Sequence, residues 1–316
     1  MSNYQILYIN QQFNAIIELG DNMKKRKIKP KKKTLLIFLV TLTLITASIF
    51  LTLPKDTKTN KENKKTQTKK DIKLSQLENI DQKISYFNYD NIDRYIDYKK
   101  KNKNLDIKQI ITDVNIGIDQ EYYTNTKESK YLNKPNILVN KYNYLTENYI
   151  PENLEDLDTN YSRSGMMLVN YAKTAFEQMA KDAKKEGYTI IAMSSYRSYK
   201  YQTNLYNKYA DTDGVEVADT YSGRPGFSEH QTGLAVDIYN GKTTYTNFEE
   251  TEEFIWMQDN AYKYGFILRF PKDKTKQTGY DYESWHYRYV GKDIAKYIKK
   301  HNLCYEEYYV QKIEKY

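Results

Sequence analysis

The sequence predicts an α+β domain: a small mixed or antiparallel sheet with flanking helices, preceded by a helical spacer and one transmembrane helix. Three observations lead there. Segments with apolar residues at helical spacing alternate with short apolar strand candidates, and no βαβ repeat or other internal repeat links them. The 316 residues leave room for one sizeable domain plus extras, with a hydrophobic fraction of 40%. A separate uncharged run lies near the N-terminus.

That run, Thr34 to Leu53, is 20 residues of mainly Leu, Ile, Phe, Val and Thr. At about 1.5 Å per residue it would span roughly 30 Å, the thickness of a bilayer core. Eight Lys or Arg lie between Lys24 and Lys33, against five from Pro54 to Thr68. The bias predicts a cell-membrane protein crossing once, with residues 1–33 as a basic cytoplasmic tail and the bulk of the chain outside. A cleaved signal peptide would have a shorter apolar core, with its small residues after the core; here Ala47 and Ser48 lie inside it, so a retained anchor is expected. Met23 opens this basic-then-apolar pattern and is a candidate start.

Residues 54–70 are rich in Lys, Thr and Asn and read as a disordered linker. A small helical spacer is expected over 71–130. Leu74, Leu77, Ile80 and Ile84 recur at helical spacing, continued by Ile92, Tyr95, Ile96 and Lys99. Asp106 is placed to cap a helix presenting Ile107, Ile110 and Ile111. The main domain is expected over 131–303, with 304–316 as a C-terminal tail. Within it Ile137 to Val139 is a strand candidate, and Pro151 marks a loop. Ser164 to Glu186 reads as one amphipathic helix with Met167, Leu168, Tyr171, Ala175 and Met179 inward, ended by Gly187. Thr189 to Met193 reads as a buried strand, and Tyr199 to Tyr209 as a helix after the Ser194–Arg197 turn. Leu234 to Ile238 is a strand and Phe248 to Tyr264 a helix closed by Gly265. Trp285 to Val290 is the last strand, and Lys292 to Lys300 the last helix.

The net charge of +8 invites a nucleic-acid reading, but the charge is unevenly placed. Residues 1–70 carry 15 Lys and Arg against 4 Asp and Glu, a net +11, whereas residues 71–316 carry 34 against 37, a net −3. A nucleic-acid binder concentrates positive charge on its folded domain, so no nucleic-acid partner is expected. The single cysteine, Cys304, excludes an intrachain disulfide, and no cysteine follows the apolar run to carry a lipid. Tyrosine is abundant, 34 of 316. Such a load suits a cleft of amphipathic rings, or simply reflects a Lys/Asn/Ile/Tyr-rich composition.

Two short stretches carry the chemistry: Ser228-Glu229-His230-Gln231-Thr232-Gly233-Leu234-Ala235-Val236-Asp237 and Glu283-Ser284-Trp285-His286. The chain has three histidines, and two sit here. Two imidazoles and one aspartate can fill three corners of a tetrahedral zinc site, leaving one position open. A further carboxylate, Glu283, could accept a proton from water there. His230 and Asp237 are too far apart in sequence for one helical turn. Gly233 and Ala235 instead suggest a tight bend into a strand bearing Asp237. His286 would share a strand face with Arg288, while Glu283 would point away unless a turn forms at Glu283-Ser284. Bland alternatives stand beside this: His230 with Glu229 in a solvated loop, Asp237 as a strand-end cap, and His286 as a core histidine next to Trp285. His301 reads as a surface residue.

These stretches, with Asn136–Leu154 (NILVNKYNYLTENYIPENL), Ser194–Gln202 (SSYRSYKYQ) and Gly265–Pro271 (GFILRFP), resemble the VanY-type D-alanyl-D-alanine carboxypeptidases, zinc peptidases of bacterial cell-wall metabolism. The resemblance covers about residues 90–300, in order. Proline is usual in the family where Ser284 stands here, and glycine is frequent where Ser195 stands; neither position supplies a ligand. The resemblance implies a DD-peptidase/hedgehog-like fold and one Zn2+ per chain on His230, Asp237 and His286, with Glu283 as general base. It implies that Arg197 faces the scissile carbonyl or the terminal carboxylate, and that Ser228 and Gln202 help hold the peptide end. The expected substrate is a peptidoglycan stem peptide, cut at its terminal D-Ala-D-Ala bond by a monomeric enzyme. An L,D-carboxypeptidase, a D-Ala-D-Ala dipeptidase, a wall endopeptidase or a non-catalytic wall-binding protein could carry the same core.

Overall fold

Ile92–Lys101 (α1) and Ile107–Ile116 (α2) open the regular structure of the computed structural model, which describes residues 83–314. The basic tail, the apolar run 34–53, the linker and the signal at Leu74, Leu77 and Ile80 lie outside the described residues. Among those described, no helix is long and apolar enough to cross a membrane. Asp106 caps α2 as its spacing predicts, Oδ1 accepting from Gln109 N at 2.9 Å, and Gly117 closes the helix at φ +105°. Both helices bury one face in a small cluster of Ile84, Phe87, Tyr95, Tyr98, Ile110, Ile111 and Val114. The cluster lies apart from the main core, within one compact unit, Lys73–Tyr316.

Lys127–Glu128 (β1) pairs in parallel with Asn143–Tyr144 (β2). The expected strand at Ile137–Val139 does not form. The segment is a buried loop whose carbonyls are satisfied by side chains: Ser129 Oγ donates to Leu138 O at 2.7 Å and Arg288 Nη2 to Ile137 O at 2.7 Å. Leu154–Asp156 (β3) pairs antiparallel with Met167–Val169 (β4), and only then does Asn170–Lys185 (α3) begin. The long helix expected from Ser164 thus starts six residues late, since Gly165 turns at φ +77° and Val169 N donates to Gly233 O. Its buried stripe is Ala172, Phe176, Met179, Ala180 and Ala183, with Tyr171 and Ala175 at its margin.

Ile191–Ser194 (β5) is followed by Tyr199–Asp213 (α4) and Val215–Tyr221 (α5). A 3-10 turn, Glu229–Thr232, leads into Ala235–Tyr239 (β6). The helix expected over Phe248–Tyr264 is split into a 3-10 stretch, Glu252–Asn260 (α6) and a second 3-10 turn, because Thr251 adopts extended backbone and caps α6 through its hydroxyl. Phe266–Leu268 (β7), Thr275–Thr278 (α7), His286–Tyr289 (β8) and Lys292–His301 (α8) follow. The central sheet has the order β5-β6-β8-β7, each neighbouring pair antiparallel, which meets the α+β expectation.

The expected tail from Cys304 is instead structured. Tyr305–Tyr308 (α9) and the wide turn Tyr309–Ile313 bury Tyr305, Glu306, Glu307 and Tyr309, and the two tyrosines join a cluster with Leu138, Ile267 and Val290. Tyr305 and Tyr309, four apart, are the helical signal in that stretch.

The main core lies between α3 and the sheet. Phe176 is fully buried and meets Phe266 edge-on, with centroids 6.2 Å apart. Phe176→Ala is expected to cost about 3–5 kcal/mol of stability, read from chemical denaturation, because the surrounding side chains cannot close the void.

Candidate metal centre

Strand register brings two of the predicted ligands together. Asp237 on β6 lies directly opposite His286 on β8 and Ser194 on β5. Residues paired across antiparallel strands project to the same face, so carboxylate and imidazole meet without a loop to aim them. His230 arrives from the 3-10 turn, which ends at Gly233 with φ +67°. A Cβ there would come within 2.9 Å of Leu154 Cδ2 and 3.1 Å of Val169 Cγ1, so both conformation and space require glycine. Glu283 is turned back by a bond from His286 N to Glu283 O at 3.4 Å, and its Oε2 lies 3.3 Å from His286 Nδ1.

The donors converge. His286 Nδ1 is 3.2 Å from Asp237 Oδ1, and His230 Nε2 is 3.3 Å from Asp237 Oδ2. One ligand atom from each of the three residues lies within 4.8 Å of the others. Donors at about 2.0–2.1 Å from a tetrahedral ion stand roughly 3.3 Å apart, so the arrangement fits zinc. Asp237 Oδ1 is buried with no hydrogen-bond partner among the described residues, as expected of an atom reserved for a cation. His230 Nδ1 is 2.6 Å from Ser195 O; a carbonyl only accepts, so Nδ1 carries the proton and Nε2 offers its lone pair.

The electrostatics favour a cation too. Burial, reinforced by Arg197 and opposed by Asp237, lowers the His230 pKa to about 4, leaving a neutral ring. Burial would raise Asp237, but the Arg197 guanidinium, with Nη2 2.6 Å from Oδ2, opposes it, and the carboxyl lies well below its usual range. Around His286, burial is overcome by Asp237, Glu229 and Glu283, three carboxylates that favour positive charge at the ring. Burial raises Glu283, with His286 opposing, which suits a carboxylate that must exchange a proton.

Arg197 reaches in from the turn after β5, where Nη2 donates to Asp237 Oδ2 at 2.6 Å and to Ser194 Oγ at 2.8 Å, and Nε donates to Ser194 Oγ at 3.0 Å. Gln202 on α4 donates to Gly223 O at 2.8 Å and leaves Oε1 without a partner among the described residues. All seven residues predicted for the site (Arg197, Gln202, Ser228, His230, Asp237, Glu283 and His286) line one cavity of about 470 Å³. Tyr201, Tyr209, Tyr245, Tyr280 and Trp285 wall it, so part of the tyrosine load serves the cleft. His301 is exposed and stacks on Tyr297 at 4.2 Å, while Cys304 is buried and unbridged.

Sequence reasoning missed the support beneath His286. Glu229, far from solvated, is buried between Arg269 and Arg288, whose Nε and Nη1 each reach its Oε1 at 2.8 Å. Arg269 also forks onto Glu306 at 2.9 and 2.5 Å. Burial would raise Glu229, but the two guanidiniums prevail and keep it ionised. A glutamate beside a histidine, with one arginine directly after the apolar strand β7 and another inside β8, was the available signal.

Comparison with known proteins agrees with this geometry. Residues 165–292 match the family model described as VanY, D-alanyl-D-alanine carboxypeptidase. The chain is 38% identical over 271 residues to YodJ of Bacillus subtilis (strain 168), provisionally named a carboxypeptidase, spanning 83% of this chain and 88% of that one. Among solved structures it is similar to the LD-carboxypeptidase LdcB, with a TM-score of 0.55 and 40% identity over 60% of this chain and 91% of LdcB. It is similar also to VanYB in complex with D-alanine-D-alanine, with a TM-score of 0.50 and 34% identity over 56% of this chain and 98% of VanYB. A relative aligned along most of both chains, and a family model lying over the site itself, establish that this chain belongs to the VanY, D-alanyl-D-alanine carboxypeptidase, family and is a zinc carboxypeptidase.

Proposed function

We propose that the protein is a membrane-anchored trimming enzyme of the cell wall, hydrolysing the terminal D-Ala-D-Ala bond of peptidoglycan stem peptides and releasing D-alanine. The observation that carries this reading is the convergence of His230, Asp237 and His286 within 4.8 Å, with Glu283 alongside, in a cleft large enough for a peptide end. In it, His230, Asp237 and His286 would hold the ion. Zinc there would supply Lewis acidity, making water at the site easier to deprotonate. Glu283 takes the proton of the attacking water and hands it to the departing amine. Arg197 has Nε and Nη2 engaged by Ser194 and Asp237. Its Nη1 makes no hydrogen bond to the described residues, which suits a single contact to the carbonyl oxygen as negative charge develops there. Ser228 and Gln202 Oε1 offer polar contacts to the peptide end. The apolar run 34–53 and the hydrophilic linker would hold the domain outside the membrane, within reach of the wall. A free dipeptide needs no such tether.

A second reading is removal of the D-alanine from a tetrapeptide stem, favoured by the 40% identity to the LD-carboxypeptidase LdcB. Incubating the full chain in detergent with defined penta-, tetra- and tripeptide muropeptides, and weighing the products, separates the two. Pentapeptide shortened to tetrapeptide is the expected result. Loss of D-alanine from tetrapeptide alone would favour the second reading, and intact substrates with zinc-loaded protein would overturn both. Activity should vanish with a chelator, return with zinc, and persist in β-lactams, since the mechanism passes through no acyl-enzyme.

A further inference from the structure

We propose that Glu229 is a positioning residue for the metal centre: its Oε2 accepts a hydrogen bond from His286 Nε2–H, so that Nδ1 presents its lone pair beside Asp237 and His230. This rests on the zinc reading above. His286 Nδ1 faces Asp237 Oδ1 at 3.2 Å and Glu283 Oε2 at 3.3 Å, on the cleft side. If Nδ1 is a ligand, the ring proton must sit on Nε2, a buried donor in need of an acceptor.

Glu229 Oε2 lies 3.8 Å from that nitrogen, and each atom is buried with no hydrogen-bond partner among the described residues. A sub-ångström shift closes the pair. The carboxylate's other oxygen is already committed, since Oε1 takes Arg269 Nε and Arg288 Nη1 at 2.8 Å each. Arg288 is braced in turn by Ile137 O and Pro135 O, at 2.7 and 3.1 Å from its Nη2. Two guanidiniums and the carboxylates of Glu229 and Glu306 balance in charge, so Glu229 stays ionised in a dry site without unbalancing it. His230 has the matching arrangement on its own outer nitrogen, with Ser195 O as acceptor. Both imidazoles are then oriented from behind, as ligand histidines commonly are. Glu306 lies beyond the matched residues 165–292, so the brace draws on a segment outside the family model.

The test is zinc affinity, measured by competition with a chromophoric chelator on the full chain in detergent. E229Q keeps the volume but removes the charge. E229D keeps the charge for the arginines but withdraws the carboxylate from His286 by one methylene. Both are expected to bind zinc about 10–100-fold more weakly than wild type, and cobalt substituted at the site should show an altered visible spectrum. E306Q loosens the same ion network without facing His286; it should lower the denaturation midpoint and leave zinc affinity near wild type. Wild-type zinc affinity in E229D, or equal weakening in E306Q and E229Q, would overturn the proposal and leave Glu229 a structural ion pair only. E229D decides the matter if E229Q does not fold. Wild-type protein that fails to bind one zinc would refute the zinc reading instead, a separate outcome.

Discussion

Glu283→Ala is expected to lower turnover by about 10²–10⁴-fold while leaving one zinc per chain. Glu283 lines the cleft but stands outside the three-residue donor cluster. Its carboxyl is buried, and burial raises its pKa, so it is poised to gain and lose a proton rather than to remain a fixed charge. Nothing else described at the cleft floor has that property: Asp237 is held well below its usual range and Glu229 is locked between arginines. Removing the carboxylate therefore removes both proton transfers, from the attacking water and to the leaving amine. The variant should bind substrate with a KM near wild type, since no ion ligand or polar contact to the peptide end is altered. Single-turnover assays with elemental analysis of the same sample check both halves. Turnover within tenfold of wild type, at full zinc occupancy, would sink the assignment of Glu283 as base.

His230→Ala carries the other large expected effect: loss of the ion, and with it all activity. His230 is the one proposed ligand contributed from outside the sheet, and it enters with its proton fixed on Nδ1 by Ser195 O. Without it two donors remain on β6 and β8, both facing the same side, and they cannot surround an ion. Elemental analysis should find the variant depleted of zinc after dialysis, with circular dichroism near wild type because the sheet register does not depend on this side chain. One equivalent of zinc retained through dialysis would refute His230 as a ligand. Added zinc should not restore activity to this variant, in contrast to the chelated wild-type enzyme.

What could be read directly was what local rules govern. Asp106 and Gly117 bound α2 because capping and a positive-φ stop act within a few residues. Gly233 and Ala235 foretold the bend that carries the chain from His230 to Asp237. The need for a turn between Glu283 and His286 followed from strand alternation alone, and the chain makes one. Helical periodicity over Ser164–Glu186 misled at its start, because Met167–Val169 has the same apolar pattern in either conformation. Only the partner strand Leu154–Asp156 settles which forms. Ile137–Val139 failed for the converse reason: it is apolar and β-rich, yet no strand among the described residues pairs with it, and side chains take the carbonyls of Ile137 and Leu138 instead.

The sequence by itself determined the chemistry: which residue types are present, and that histidine, aspartate and glutamate stand at spacings a short turn and a strand can bring to one face. Only the tertiary structure decided that Asp237 and His286 are cross-strand partners, that the C-terminal segment is packed rather than free, and that Glu229 is buried behind His286 instead of in solvent. The physical reason is range. Caps, turns and alternation act over a few bonds, whereas strand register and the pairing of buried charges depend on residues from 37 to 59 positions apart meeting where water is excluded.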